Sequence, residues 1–141
     1  MNKEDYIEKK HLEKIIREIE KTVDTIIVEG WSDKKMIQKL GFKGKIFLSA
    51  EKTTEELIED VSRRTKKAAV LTDFDSHGKE QAEKISRQLD KEVDVVRTAR
   101  QKFGKQLTSK DRRAIEDIRP LFEDKEKKFV DAAIDQLFFE T

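Results

Sequence analysis

The 141-residue chain contains no cysteine. That excludes disulfide bonds, thiolate metal sites and a cysteine nucleophile, and leaves little room for redox chemistry. Long apolar runs are missing too. No stretch approaches the roughly 18 residues of a membrane span, and the opening MNKEDYIEKK has no apolar signal core. These absences predict a soluble, cytoplasmic protein with no membrane partner. An excess of one charge is also missing: Lys and Arg total 31 against 30 for Asp and Glu, a net charge of +1. Overall charge therefore neither calls for nucleic acid nor speaks against it, and local asymmetry has to decide. Proline occurs once, at Pro120, and tyrosine once, at Tyr6. There is no GxxxxGK(S/T) phosphate loop, and no repeat, low-complexity run or flexible linker.

What is present is charge, at 43% of residues, with 35% apolar residues gathered into periodic segments. That pattern describes a folded protein with a heavily charged surface, long enough for one domain over residues 1–141. High Lys, Glu and Ile with little Asn also resembles the composition of heat-adapted proteins. Ile7, Leu12, Ile15, Ile16 and Ile19 recur at helical spacing and predict an amphipathic N-terminal helix over 3–22. A strand follows at Thr25 to Val28, closing on Glu29 and Gly30. Ser32 or Asp33 can cap the next helix, which runs to Leu40 and stops at Gly41. KIFLSA is a second strand, and a capping Thr opens a helix carrying Leu57, Ile58 and Val61. Ala68 to Thr72 reads as strand three, with a helix from about Gly78 to Leu89, and EVDVVRTA reads as strand four. Strands alternating with helices predict an α/β fold: a four-stranded, mainly parallel, Rossmann-like sheet with helices on both faces. Residues 100–141 are read as a basic loop, a short helix around Arg112 to Ile118 and a closing amphipathic helix over 124–139.

In a parallel sheet the ligand crevice lies at the carboxyl ends of the strands. Glu29 falls there, and so do Asp73 and Asp75, which alternation would turn to one side with Phe74 facing away. Three carboxylates gathered in one volume repel one another unless a cation neutralises them. Oxygen ligands without cysteine favour Mg²⁺ or Mn²⁺. Gly30 permits a tight turn beside the glutamate. The competing reading is that these acids cap helices or sit in solvated loops.

The pair IIVEGWSD and, about forty residues later, VLTDFDSHGK resembles the TOPRIM domain, over roughly residues 25–99. That family is shared by topoisomerases, bacterial primases, overcoming-lysogenization-type nucleases, recombination-repair proteins and ribosomal RNA maturation nucleases. The resemblance implies that Glu29 is the general acid or base, that Asp73 and Asp75 hold Mg²⁺ with Glu29, and that Asp33 matches a frequent acid of the motif. A topoisomerase would need a nucleophilic tyrosine in a separate domain, a primase a zinc module, and the overcoming-lysogenization type an ATPase. What is left resembles the small stand-alone TOPRIM proteins, archaeal ones especially, and the maturation nucleases. The implied partner is nucleic acid, RNA or DNA, and the implied activity is phosphodiester cleavage. The alternative is a non-catalytic RNA-binding module, or one that joins an RNA-processing complex. DFDSH is also similar to the DxDGT signature of haloacid dehalogenases, which would imply an aspartyl-phosphate phosphatase, but that family places its pair after the first strand.

Arg97, Arg100, Lys102, Lys105, Lys110, Arg112 and Arg113 form a basic segment interrupted by Asp111 alone. With Phe103 among them, it suits tracking a phosphate backbone and stacking on a base, or else a solvated charged loop. His77 and Lys79, directly after the Asp pair, are candidate supporting residues for a metal-bound water or a phosphate. Trp31 suits either stacking on a base or packing against its own helix.

Overall fold

Thr25–Val28 is buried at all four positions, as expected of an inner strand covered on both faces. The computed structural model describes residues 2–123. Among them the chain runs α1 (Lys3–Glu20), β1 (Thr25–Val28), α2 (Trp31–Lys39), β2 (Lys45–Leu48), α3 (Thr54–Arg64), β3 (Lys67–Val70), α4 (Ser76–Leu89), β4 (Asp94–Val95) and α5 (Arg97–Thr108). A 3₁₀ turn lies at Ser49–Glu51, and a 3₁₀ segment spans Ile115–Phe122. All four strands are parallel, in the order β2-β1-β3-β4. Ile27 pairs with Phe47 on one side and Val70 on the other.

Because strand side chains alternate, the sheet feeds two cores. Ile26, Val28, Ala69 and Leu71 meet Leu12 and Ile16 of α1, Ile37 of α2 and Phe103 of α5. Ile27, Phe47 and Val70 meet Leu57 and Val61 of α3 and Ile85 and Leu89 of α4. Each fully buried Ile, Leu or Phe side chain contributes about 1.5–3 kcal/mol, so the two layers of helices are held by the sheet itself. Gly41, at φ +110°, ends α2 in a conformation that side chains rarely adopt. In the 3₁₀ segment, buried Ile115, Ile118 and Leu121 are three residues apart. At three residues per turn they share one face, which is packed against α2. No helix among the described residues is long and apolar enough to cross a membrane.

Several boundaries depart from the sequence reading. β3 ends at Val70 rather than Thr72, although the Leu71 amide still donates to the Ile27 carbonyl at 2.7 Å. β4 is two residues long, and Arg97–Thr108 is a helix where the end of a strand and a basic loop are expected. Ala99, Phe103 and Leu107, four residues apart and all buried, are the stripe that makes it one. The N-cap of α2 is Gly30, not Ser32 or Asp33, because the Asp33 side chain folds back to accept from the Gly30 amide. The expected closing helix over 124–139 lies outside the described residues.

Candidate functional site at the carboxyl edge of the sheet

The strand order reverses direction between β1 and β3. From β1 the chain goes outward to β2 through α2, then returns through α3 past β1 to β3, leaving a crevice at the carboxyl ends of this pair. Glu29 follows β1 and Asp73 lies three residues beyond β3, so both acids stand at that switch point. Their carboxyl groups are within hydrogen-bonding reach. Two carboxylates that close repel unless one is protonated. Burial, then the charge and hydrogen bond of Glu29, then Asp33 and Asp75, raise the Asp73 carboxyl from 3.8 to about 7. One carboxylate oxygen of Glu29, Oε2, is buried without a hydrogen-bond partner.

Asp75 behaves differently from Asp73. Beyond the strand the backbone is irregular, so alternation does not turn the two acids to one side. Asp73 is half-buried against Glu29, whereas Asp75 is exposed and caps α4, its Oδ1 accepting from the Gly78 amide at 2.7 Å. The loop curls tightly: the Thr72 hydroxyl donates to the Gly78 carbonyl at 2.9 Å, and a Cβ on Gly78 would run into the Asp73 carbonyl. Glycine is required there by this close approach. His77 and Lys79 are exposed on the first turn of α4. Asp33 is buried and both its oxygens are engaged, Oδ2 by the Gly30 amide at 3.2 Å and Oδ1 by the Glu116 amide at 3.0 Å. It fastens the 3₁₀ segment to the start of α2 and so fixes the turn that carries Glu29. Burial, outweighing these two amides, raises its carboxyl above the ordinary value.

The basic segment divides by role. Arg100 points inward: it donates to the carbonyls of Val70 (3.2 Å), Thr72 (2.8 Å) and Asp73 (2.8 Å), with its guanidinium carbon 4.2 Å from the centroid of Phe74. It satisfies the carbonyls that the end of β3 leaves without partners, instead of reaching for a phosphate, and burial lowers its own pKa to about 10. Arg112 is likewise committed, donating to Glu8 of α1 at 2.7 and 3.1 Å. Arg97 pairs with Asp90 at 2.6 Å on the surface. Phe103, expected to stack on a base, is wholly buried and faces Phe74 at 6.1 Å between centroids. Lys102, Lys105, Lys110 and Arg113 are exposed. Of these, Lys105 and Arg113 line a groove that Lys79 and Arg100 also line, while Lys102 lies toward Ile15 of α1. Trp31, just after Gly30, is 57% exposed, with the ammonium groups of Lys34 and Lys35 5.3 and 5.6 Å from its ring centroid. It therefore does not pack into the core. Phe74 and Gln101 entered the site unforeseen; the period of Ala99, Phe103 and Leu107 is the signal that would have placed Gln101 on a helix surface.

A UPF0292 protein of the archaeon Methanocaldococcus jannaschii is 40% identical over 89 residues, 60% of this chain and 67% of the relative. One from Pyrococcus abyssi is 30% identical over 113 residues, 80% of this chain and 85% of the relative. The chain belongs to the UPF0292 family. No family model matches it. A solved structure of a protein from Aquifex aeolicus superposes with a TM-score of 0.58 at 24% identity, over 79% of this chain and 95% of the other, and shows that the α/β fold is shared. In the UPF0292 chain no three or more carboxylate or imidazole groups among the described residues form a closed metal cage. The Glu29–Asp73 pair nevertheless suits a cation such as Mg²⁺, which takes one or two carboxylates and fills its other positions with water and substrate phosphate. The unpartnered Oε2 of Glu29 is the acceptor that such an ion would satisfy.

Proposed function

We propose that this UPF0292 chain is a TOPRIM-type cytoplasmic protein that binds nucleic acid and cleaves its phosphodiester bonds with Mg²⁺ or Mn²⁺. The observation that carries the reading is the Glu29–Asp73 pair, set across the β1/β3 switch point with a buried carboxylate oxygen lacking a partner. While Asp75 spends one oxygen on the cap of α4, Asp73 and Glu29 would hold the cation. Bound there, it would neutralise the acids and polarise the scissile phosphate. Glu29 takes a proton from the attacking nucleophile or returns one to the leaving oxygen. Asp33 keeps the Gly30 turn, and hence Glu29, in place. Arg100 holds the Asp73 backbone from behind.

The test is one gel. Labelled RNA and DNA, single- and double-stranded, are incubated with the protein in Mg²⁺, Mn²⁺ or EDTA, beside Glu29→Gln. Metal-dependent products that disappear in the variant are expected; undiminished cleavage by Glu29→Gln would rule out the assigned role. A second reading is favoured by Asp75, which spends one oxygen on the cap of α4 while no closed metal cage is present among the described residues. In that reading the chain binds RNA, alone or within an RNA-processing complex, without turnover. Retention on the gel with no product in either metal would select it.

A further inference from the structure

Next to the loop that carries Asp73 lies a groove of about 360 Å³, lined by Phe74, Lys79 of α4, Arg100, Gln101, Gly104 and Lys105 of α5, and Arg113 beyond it. No described residue lining it is acidic, in a chain with 30 acids against 31 bases. A second depression, of about 160 Å³, shares Lys79, Arg100 and Gln101 with the first and reaches Arg97. The two form one elongated track along the α4–α5 boundary, with Glu83 the one acid on its rim among the described residues.

We infer that this groove binds the sugar–phosphate backbone of a single-stranded nucleic acid, its phosphates held by Lys79, Lys105 and Arg113, and leads it to the Glu29–Asp73 pair. The inference rests on the reading of that pair as a nucleic-acid site. Three features argue for a strand over a small anion or a duplex. The track is elongated, which a lone phosphate would not use. Its cations come from both walls, Lys79 from α4 and Lys105 from α5, so the ligand lies between them. The groove, of about 360 Å³, has room for one backbone, whereas a duplex presents two backbones across a major groove about 12 Å wide. Arg100 adds to the positive potential, but its donors are spent on the carbonyls of residues 70, 72 and 73. The direct contacts therefore fall to its three exposed neighbours. The DFDSHGK loop joins the two sites: Asp73 belongs to the pair, and Phe74 and Lys79 line the groove.

The experiment is fluorescence anisotropy in EDTA, where turnover is blocked, using labelled single strands of about twelve nucleotides and the matching duplex. Lys105→Ala and Arg113→Ala should each weaken single-strand binding about five- to tenfold and flatten the log K against log salt slope by about 0.7. Lys91→Ala, in the turn just past the far end of α4, should bind as the parent does, and the duplex should bind at least tenfold more weakly. Thermal melting should be unchanged in all three variants, since each side chain is exposed. Parent-like binding by the Lys105→Ala/Arg113→Ala double variant would overturn the groove while leaving the acid-pair reading intact, and equal affinity for the duplex would overturn the single-strand assignment. No binding by the parent in EDTA would overturn the groove, and the cleavage gel in Mg²⁺ or Mn²⁺ would then decide the acid-pair reading separately. Weakened groove variants alongside a Glu29→Gln protein that still cleaves would uphold the groove and sink only the proton-transfer role.

Discussion

Replacing Asp73 with asparagine should make the protein more stable, and increasingly so as pH rises. The folded chain raises the Asp73 carboxyl from 3.8 to about 7, first by burial and then by Glu29. Between those values the folded state holds a proton that the unfolded state has released. Its contribution is therefore complete below the unfolded pKa and is lost as pH climbs through the folded one. At about 1.4 kcal/mol per pH unit the whole rise caps the effect at about 4 kcal/mol. Asp73 is only half-buried, and solvent screening brings the working figure to about 2 kcal/mol. The introduced asparagine would be neutral at every pH, and its amide can donate to the buried oxygen that Glu29 leaves unpartnered.

The assay is thermal or urea unfolding of parent and Asp73→Asn in EDTA from pH 4.5 to pH 8. The advantage of the variant should be small at the acid end and grow by roughly 1.5–2 kcal/mol by the alkaline end, a shift in Tm of roughly 5–7 °C. Millimolar Mg²⁺ at pH 8 should stabilise the parent alone and narrow the gap. A variant that is no more stable at pH 8, or an advantage that does not change with pH, would show that Asp73 and Glu29 do not repel as their contact requires.

Three further outcomes follow from particular contacts. In Gly104→Ala the new Cβ meets the Phe74 ring at 2.7 and 2.8 Å, which should cost about 1–3 kcal/mol. Adding Phe74→Leu should cost less than the two single changes summed, as a double-mutant cycle in urea would show. Arg112→Ala leaves Glu8, 3% exposed, without its cation and should cost about 3–5 kcal/mol; Glu8→Met/Arg112→Met should recover at least half in equilibrium unfolding. Arg100→Lys replaces a planar fork spanning three carbonyls with one ammonium and should lose about 2 kcal/mol. Equilibrium unfolding in urea reads that loss, and a change within about 0.5 kcal/mol, as at an ordinary surface site, would show that the fork does not hold the loop.

The parts of the fold legible in the sequence were those with local signals. Thr25–Val28 is apolar throughout and bounded by Glu-Gly, and it forms a strand over those same residues. The spacing of Leu12, Ile16 and Ile19 marks α1, whose buried face they form. β1, together with the strand read from Ala68 to Thr72 and found at Lys67–Val70, brings Glu29 and Asp73 to one edge. α5 was hidden because Arg97, Arg100, Lys102 and Lys105 interrupt an apolar stripe of three residues, and its face is completed by α1, far away in the chain. Phe103 was misplaced for the same reason. The partner of Arg112 lies 104 residues earlier, at Glu8, so nothing near Arg112 distinguishes a buried ion pair from a phosphate contact. The archaeal character read from the motifs agrees with the archaeal UPF0292 relatives.

The two carboxylates that follow β3 have different surroundings, Asp73 facing Glu29 and Asp75 capping α4. A net charge of +1 conceals a separation within one loop. Asp73 turns to Glu29 across the switch point, while Lys79, six residues on, lines the acid-free groove. Asp75 sits between them and starts α4, which carries Lys79 to that groove. Arg100 stands behind all three, its fork on the loop's carbonyls and its face on Phe74. Fixing the backbone there fixes the distance between the acid pair, which in the proposed reading repels phosphate unless a cation is present, and the groove, which in that reading attracts phosphate without one. Under the proposed reading, a strand would therefore be held in the groove before and after the cation arrives. Binding in EDTA and cleavage in Mg²⁺ would then separate by variant, the first through Lys105 and Arg113 and the second through Glu29.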